Sequence, residues 1–263
     1  MIEVPYEKQT VDNPNPLARF SHRARMSRSR RLVKPFLTGT ATLLDYGCGQ
    51  GRFLHELAAE IKPSERGVTL LGYDPYQSAQ FDGYRIVSDP GDIAPGSVDM
   101  FTILEVCEHL TDSETEEFIE FAAKVLSPNG RLLVSVPIEI GPAVLAKELS
   151  RCILHRRRPE MTTREWLRAA FRGVPARRAE NVKNSHRGYD FRATQDRLLS
   201  TFSCLHVEFS PLPFDGWYGQ SQVIMMFSQQ LPGTMRHGVQ VAPGARDRSS
   251  PDWRLLGQRV PQS

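Results

Sequence analysis

The chain has 263 residues, of which 40% are hydrophobic and 24% are charged, with a formal net charge of +3. These values are close to the averages of soluble globular proteins, and they exclude a wholly disordered or fibrous chain. The longest apolar runs, such as residues 223–227, are much shorter than the roughly 20 residues that cross a bilayer. The N-terminus lacks the order of a signal peptide, and the four cysteines have no CxxC spacing, so we expect a reduced, cytoplasmic protein.

Basic residues are concentrated in two segments. Residues 17–34 contain seven Lys or Arg and no acid, and residues 151–192 contain twelve Lys or Arg against four acids, a balance of 12 minus 4, or +8. Such segments attract phosphate or other anionic surfaces, although a solvated helix face is the commoner explanation.

The apolar periodicity predicts alternating strands and helices in the first half of the chain. A helix is predicted over residues 17–36, a second begins after Gly51, and a third covers residues 111–126. The predicted strands are residues 42–46, 68–73, 84–87, 98–104, 131–136, 205–209 and 221–227.

Composition divides the chain into three parts. We predict a basic N-terminal cap helix within residues 1–40, a main domain over 41–230, and a flexible tail over 231–263, where Gly, Pro, Arg and Ser predominate. The alternation of strands and helices lapses over about residues 141–196, which we interpret as an inserted substrate lid.

The first predicted strand ends in a glycine cluster. Gly47, Gly49 and Gly51 open the next helix, where glycine lets the backbone approach a ligand and free N–H groups favour an anionic group. Arg52 stands where a dinucleotide fingerprint needs a third small residue, which disfavours NAD. Asp74 ends the next strand, at the place from which a carboxylate accepts both hydroxyls of an adenosine ribose.

Four ordered segments carry a family resemblance: LLDYGCGQG, LLGYDPY, GSVDMFTILEVCEHL and AAKVLSPNGRLLVSVP. In this order and spacing the chain resembles the class I S-adenosylmethionine (SAM) dependent methyltransferases. The resemblance implies an α/β fold with a Rossmann-like, seven-stranded, mostly parallel sheet, an antiparallel last hairpin and helices on both faces. It also implies that Asp45, Gly47, Gly49 and Gly51 hold the methionine end of SAM, Asp74 the ribose and Asp89 the adenine edge.

Polar residues follow the fourth predicted strand, at the edge of the expected site. The spacing Glu105-x-x-Glu108-His109 resembles a segment of quinone-biosynthesis O-methyltransferases and small-RNA 2′-O-methyltransferases that binds a divalent metal. His186 is our candidate to complete a set of four metal ligands, which are also the predicted catalytic residues. Two alternatives stay open: His109 as a general base without metal, and mainly structural roles for all four residues.

We expect residues 184–192 to bind the acceptor, with the aromatic loop 214–218 as a second candidate wall. The leading hypothesis is methyl transfer from SAM to a hydroxyl of a small, lipid-linked or glycan acceptor. The alternatives are an RNA methyltransferase, for which the sequence shows no RNA-binding module, and a non-catalytic SAM-binding scaffold. The basic segments leave peripheral membrane contact open, and no pattern predicts an oligomeric state.

Overall fold

The computed structural model describes residues 15–61, 67–145, 147, 149, 161–178, 186–214 and 216–230. Its helices are α1 (Pro16–Val33), α2 (Arg52–Glu60), α3 (Asp112–Val125), α4 (Thr163–Arg172) and α5 (Phe191–Leu198). Its strands are β1 (Thr42–Tyr46), β2 (Thr69–Tyr73), β3 (Ala79–Phe81), β4 (Tyr84–Val87), β5 (Val98–Leu104), β6 (Leu126–Pro137), β7 (Phe202–Ser210) and β8 (Gln222–Gln229). The predicted tail over 231–263 lies outside the described residues.

The strands form one sheet in the order β3-β4-β2-β1-β5-β6-β8-β7. The pairs from β4 through β6 are parallel, whereas β8 runs antiparallel to both β6 and β7. The Rossmann-like sheet with an antiparallel last hairpin is therefore confirmed. Strand β2 pairs on one side of β1, and the chain later returns to pair β5 on the other side of β1. The order of the strands therefore reverses at β1. Ligands of such sheets bind at this switch point, beside the carboxyl ends of the strands.

The sheet has eight strands instead of the predicted seven. The additional strand, β3, pairs antiparallel with β4 at the sheet edge, and Phe81 lies opposite Tyr84. The two residues between them include Gly83, whose φ of 86° allows the tight turn. Three residues are too short to show a clear alternation of polar and apolar side chains, and for this reason the sequence pattern did not predict β3.

Helices cover both faces of the sheet, as predicted. Leu43 of β1 belongs to a buried apolar cluster with α1 and α2, whereas its neighbour Leu44 belongs to a second cluster with α3 and α5. Successive side chains of a strand point to opposite faces, so each strand contributes to both cores. Within the described residues, no helix has the length and apolar character needed to cross a bilayer.

Helix α1 is held to the body by its own basic side chains. Pro35 lies in a short 3₁₀ turn, Lys34–Phe36, which follows α1 where we predicted continued helix. Five of the seven basic residues of segment 17–34 pair with acids of the same chain, through Arg25–Glu105, Arg28–Glu208, Arg30–Glu56, Arg31–Glu208 and Lys34–Glu60. This basic segment is therefore largely neutralised within the fold.

Candidate active site

The glycine loop after β1 is fixed by three residues with left-handed backbone. Gly47, Gly49 and Gly51 have φ angles of 70°, 54° and 75°, a region that strongly favours glycine. The backbone amides of Gly47 and Cys48 donate to the carbonyl of Tyr73 at 2.8 and 3.1 Å, which ties the loop to the end of β2. The loop thus has a defined shape at the switch point.

The three glycines differ in what surrounds them. A Cβ at Gly47 would lie 2.7 Å from Val106, and one at Gly51 would lie 2.6 Å from the ring of Tyr84, so both positions are closed by packing. A Cβ at Gly49 would meet no atom within 4 Å. Gly49 is therefore the position at which a ligand can approach the backbone of the loop.

Asp74 lies directly beside this open glycine. One carboxylate oxygen accepts the amide of Gly49 at 3.1 Å, and the other accepts the amide of Tyr76 at 3.0 Å. Gln77 donates from its side chain to the carbonyl of Gly49. The sequence-predicted cofactor residues Gly49 and Asp74 are thus brought together, and a carboxylate beside an open glycine backbone fits the ribose and methionine ends of SAM.

The other two predicted cofactor acids have different surroundings. Asp45 is buried in β1, where it accepts the hydroxyl of Thr102 at 2.7 Å, and burial raises its pKa to about 7 although Thr102 and Arg25 oppose the shift. Asp89 is exposed and accepts the amide of Gly91 at 2.7 Å, which caps a 3₁₀ turn after β4. Asp89 therefore lies at the open edge of the site, and Asp45 lies inside the sheet.

Glu105 adopts a strained backbone where β5 ends. Its φ of 57° is the only positive value at a non-glycine residue in the described part of the chain. The carboxylate pairs with Arg25 of α1 at 3.0 Å and accepts the hydroxyl of Ser135 at 3.3 Å. Burial by itself would raise the pKa of Glu105, but the Arg25 guanidinium and other nearby basic groups hold it below the usual value. Glu105 is therefore a largely but not fully buried, charged carboxylate that anchors α1 to the site.

Glu108 is completely buried, three residues further along the chain. Neither of its carboxylate oxygens has a hydrogen-bond partner among the described residues. Burial, together with the negative charge of Glu105, raises the pKa of Glu108 well above its usual value. A buried carboxyl group without a donor is costly unless it is protonated or bound to a cation.

His186 brings the predicted lid into contact with this segment. Its Nε2 lies 4.0 Å from Oε1 of Glu108, and its Nδ1 lies 3.9 Å from Oε1 of Glu139. The rings of His109 and His186 have their centroids 5.0 Å apart. Glu108, His109 and His186 each offer one candidate ligand atom, and these three atoms lie within 4.8 Å of one another. This group therefore has the dimensions of a metal site. The fourth predicted ligand, Glu105, is placed in the ion pair with Arg25 and outside this group.

Four polar residues beside these groups were not predicted from the sequence: His22, Arg25, Glu139 and Lys147. His22 and Arg25 come from α1, and burial followed by the charge of Arg25 lowers the pKa of His22 to about 4. Glu139 follows β6 and pairs with Lys147 at 2.9 Å. Glu139 carried a signal, since an acid shortly after a parallel strand lies at the same sheet edge as Glu105.

Most of the predicted acceptor-binding segment is engaged in contacts of the lid itself. The phenol of Tyr189 is buried and lies within hydrogen-bonding distance of Thr194, at 2.7 Å. The ion pairs are Arg187–Glu165 and Arg192–Asp190, at 2.9 and 2.8 Å. Within residues 186–192, His186 is the residue that lies beside Glu108 and Glu139. Asn184 and Ser185 lie outside the described residues.

Trp217 joins the aromatic loop to the lid. A Cβ at Gly141 would lie 3.0 Å from the indole, and one at Gly173 would lie 2.8 Å from it. The indole therefore packs between the start of the predicted lid and the end of α4.

Comparison with known proteins agrees with these assignments at the level of the family. A family model described as a methyltransferase domain matches residues 17–195, which is 179 of the 263 residues. The search of curated proteins found no match. The structure is similar to the PH0226 protein of Pyrococcus horikoshii OT3, with 14% identity and a TM-score of 0.51, over 86% of this chain and 97% of that chain.

A second similar structure contains a bound product of the methyl donor. It is 1,6-didemethyltoxoflavin-N1-methyltransferase of Burkholderia thailandensis with 1,6-didemethyltoxoflavin and S-adenosylhomocysteine. The identity is 16% and the TM-score is 0.50, over 78% of each chain. Identities this low show a common fold. The family match runs from α1 into α5 and includes both the glycine loop and the glutamate segment, so the chain belongs to the methyltransferase-domain family and is a SAM-dependent methyltransferase of the class I fold.

Proposed function

We propose that the protein transfers a methyl group from SAM to a hydroxyl of a small, lipid-linked or glycan acceptor. The observation that carries this proposal is the group of Glu108, His109 and His186, in which the fully buried Glu108 and the half-buried His109 follow β5 and the half-buried His186 lies against them. Val106, in the same segment, packs against the glycine loop at Gly47. This group of three residues is therefore close to the cofactor residues, where an acceptor hydroxyl would need to lose its proton.

The proposed cofactor residues are those of the glycine loop and the strand-end acids. Gly47, Gly49 and Gly51 shape the loop for the methionine end with Asp45 behind it; Asp74 binds the ribose and Asp89 contacts the adenine edge. When bound, SAM supplies an electrophilic methyl group on a positively charged sulfur. The protein aligns the acceptor with that methyl group and excludes water. Alignment and the exclusion of water account for much of the catalysis of a displacement reaction.

His186 is the proposed proton acceptor. Burial lowers its pKa, so the imidazole is neutral near pH 7 and has a nitrogen available for a proton. The carboxylate of Glu139, 3.9 Å from Nδ1, stabilises the imidazolium after transfer. Glu108 is less suited to this role, because burial and the negative charge of Glu105 raise its pKa and so favour its protonated form. His109, adjacent in the same group, is the alternative base.

In an alternative form of the site, the same three residues would hold a divalent cation, and His186 would then be a ligand in place of the proton acceptor. The unpartnered oxygens of Glu108 fit this role, since a cation would replace the proton that burial otherwise imposes. One carboxylate and two imidazoles favour Mn²⁺ or Zn²⁺ over Mg²⁺, which prefers oxygen ligands. When bound, such an ion lowers the pKa of a hydroxyl.

Two observations favour this function over the alternatives. The internal pairing of five basic residues in segment 17–34 leaves that segment little charge for an RNA backbone. The buried, unpartnered Glu108 is costly to keep in a scaffold that only binds SAM, whereas a catalytic site has a use for it.

The test is methyl transfer from isotopically labelled SAM to a panel of phenols, lipid-linked hydroxyls, glycans and RNA, with the product bond identified by mass spectrometry. We expect O-methylated products, and His186→Gln lowers kcat by about a hundredfold or more. His206→Gln is the matched control, because His206 is exposed on β7. Methylation of nitrogen or RNA, or equal activity of the two variants, would contradict the proposal.

The metal component has its own test. Calorimetric titration of Mn²⁺ or Zn²⁺ in buffers of different ionisation enthalpy should show about one proton released per ion, from Glu108. Glu108→Gln removes this binding, whereas Glu139→Gln, which changes a carboxylate outside the group, retains most of it. Binding that is unaffected by Glu108→Gln would place the ion elsewhere.

A further inference from the structure

Helix α4 packs on the protein through one face that includes two fully buried alanines. Thr162 and Glu165 form a capping box at its start, and Gly173, with φ of 60°, ends it. Ala169 and Ala170 are fully buried, and the carbonyl of Ala169 accepts the amide of Gly141 at 2.8 Å. Trp166 lies on the same side, half-buried with its indole nitrogen inside, whereas the other large apolar side chains of the helix remain on the outside.

The exposed side of α4 therefore carries a row of large apolar side chains. Leu167 and Phe171, one turn apart, are 51% and 63% exposed, and Val174 just beyond the helix is 36% exposed. We name these three residues the apolar row. An amphipathic helix of a globular protein normally turns its large apolar residues inward, so the exposure of Leu167 and Phe171 departs from the usual pattern.

A second row, of arginines, lies beside the first. Arg164, Arg168 and Arg172 follow one another at intervals of four residues, and each is exposed. We name them the basic row. No acid within the described ranges forms an ion pair with these guanidinium groups; Glu165, the acid of α4, caps the helix and pairs with Arg187. The outer face of α4 is thus apolar along one row and positively charged along the next.

The aromatic loop lies beside the end of α4 and has exposed rings of its own. Trp217 packs against Gly173 at the end of α4, and Phe214 and Tyr218, on either side of it in sequence, are 48% and 53% exposed. Large exposed apolar side chains that gather in one region mark an interaction surface.

From these observations we propose that α4 lies flat on the surface of an anionic lipid bilayer. The apolar row enters the boundary between headgroups and acyl chains, and the basic row contacts the lipid phosphates, which is the geometry of an interfacial helix. An RNA backbone would use the basic row but has no contact for Leu167 or Val174. A second copy of the chain would bring two basic rows together, which is repulsive.

Docking in this way brings the bilayer to the segment that carries His186. Glu165 of α4 pairs with Arg187, which directly follows His186. An acceptor embedded in or tethered to the bilayer would then reach the site without crossing open solvent. The docking itself does not depend on the identity of the acceptor or on methyl transfer.

The experiment is co-sedimentation of the full chain with vesicles of phosphatidylcholine alone, or of phosphatidylcholine and phosphatidylglycerol in equal amounts. We expect binding to the anionic vesicles and little binding to the neutral ones. Leu167→Ser/Phe171→Ser should weaken it about tenfold or more. Arg164→Gln/Arg168→Gln should weaken it by a similar factor, at about fivefold per charge.

Leu205→Ser is the matched control, because Leu205 is 43% exposed on β7, away from α4. All variants are first tested for S-adenosylhomocysteine binding, which shows that they are folded and separates this test from that of the methyltransferase site. No binding to anionic vesicles would overturn the proposal, as would binding that the α4 variants leave unchanged or binding to RNA in place of vesicles.

Discussion

The contrast between Gly49 and Gly51 gives the sharpest prediction for the cofactor site. Both have positive φ, so alanine at either position costs about 1–2 kcal/mol from left-handed backbone alone. At Gly49 the new methyl group meets no atom. At Gly51 it lies 2.6 Å from Tyr84 and 3.1 Å from Ile86, and such overpacking adds about 1–3 kcal/mol.

The two substitutions should therefore have different consequences. Gly49→Ala lowers the free energy of unfolding by only about 1–2 kcal/mol, but its methyl group enters the space that the ligand needs. We expect its affinity for S-adenosylhomocysteine to fall about tenfold or more. Gly51→Ala loses about 2–5 kcal/mol of stability as its main effect. Denaturant unfolding and calorimetric titration measure the two quantities separately.

Gly96 supplies the control. It has a φ of 67° and open space around it, like Gly49, but lies in the loop before β5. Gly96→Ala should match Gly49→Ala in stability and retain the affinity of the unmodified protein. Equal S-adenosylhomocysteine affinity of the Gly49 and Gly96 variants would show that the ligand does not approach Gly49, and the assignment of the loop would fail.

Three further predictions concern charge and stability. Arg25→Met leaves the Glu105 carboxylate buried without its partner and should cost about 3–5 kcal/mol in denaturant unfolding; an effect below about 1 kcal/mol would contradict the pairing. The pKa of Asp45, raised to about 7 from 3.8, makes the folded state bind this proton more tightly, so its contribution to stability is complete below about pH 4 and is lost as pH rises to about 7. This pH-dependent loss amounts to at most about 4 kcal/mol, and Asp45→Asn abolishes it. The free energy of unfolding of Asp45→Asn, relative to that of the unmodified protein, should therefore rise between pH 4 and 8. A difference that stays constant with pH would refute the pKa shift. Thr111→Ala removes the capping box with Glu114 and should lower the free energy of unfolding by about 1 kcal/mol, measured against the exposed control Ser113→Ala.

The parallel part of the fold was predictable because its signals are local. An apolar run followed by glycines placed β1, and the loop geometry then followed from residues that only glycine satisfies. The boundaries of β1 and β5 agree with the sequence pattern residue for residue. Asp74 was predictable for the same reason, since it directly follows a recognisable strand.

The contribution of α1 to the site was not predictable from its sequence. Arg25 and Ser29 are buried on this helix, 2% and 0% exposed, on the same side as Met26 and Val33. A buried face that is partly polar produces no clear apolar stripe, so the pattern gave a helix without showing which face is inside. The ion pair with Glu105 joins residues 80 positions apart, which no local pattern reports.

The arrangement around His186 depends on contacts of the same kind. The sequence suggested this histidine because of its polar and aromatic neighbours, yet Tyr189 and Arg192 stabilise the lid. Glu139, on the other side of the imidazole, comes from the end of β6. Which side chains meet there follows from the tertiary packing of three separated segments.

Calorimetric titration of S-adenosylhomocysteine into the unmodified protein and into Asp74→Asn tests the central claim most directly. The structure predicts one site of about micromolar affinity, weakened more than about tenfold when Asp74 loses its charge beside Gly49. No binding by the folded protein, or equal affinity of the two forms, would contradict the assignment of the SAM site.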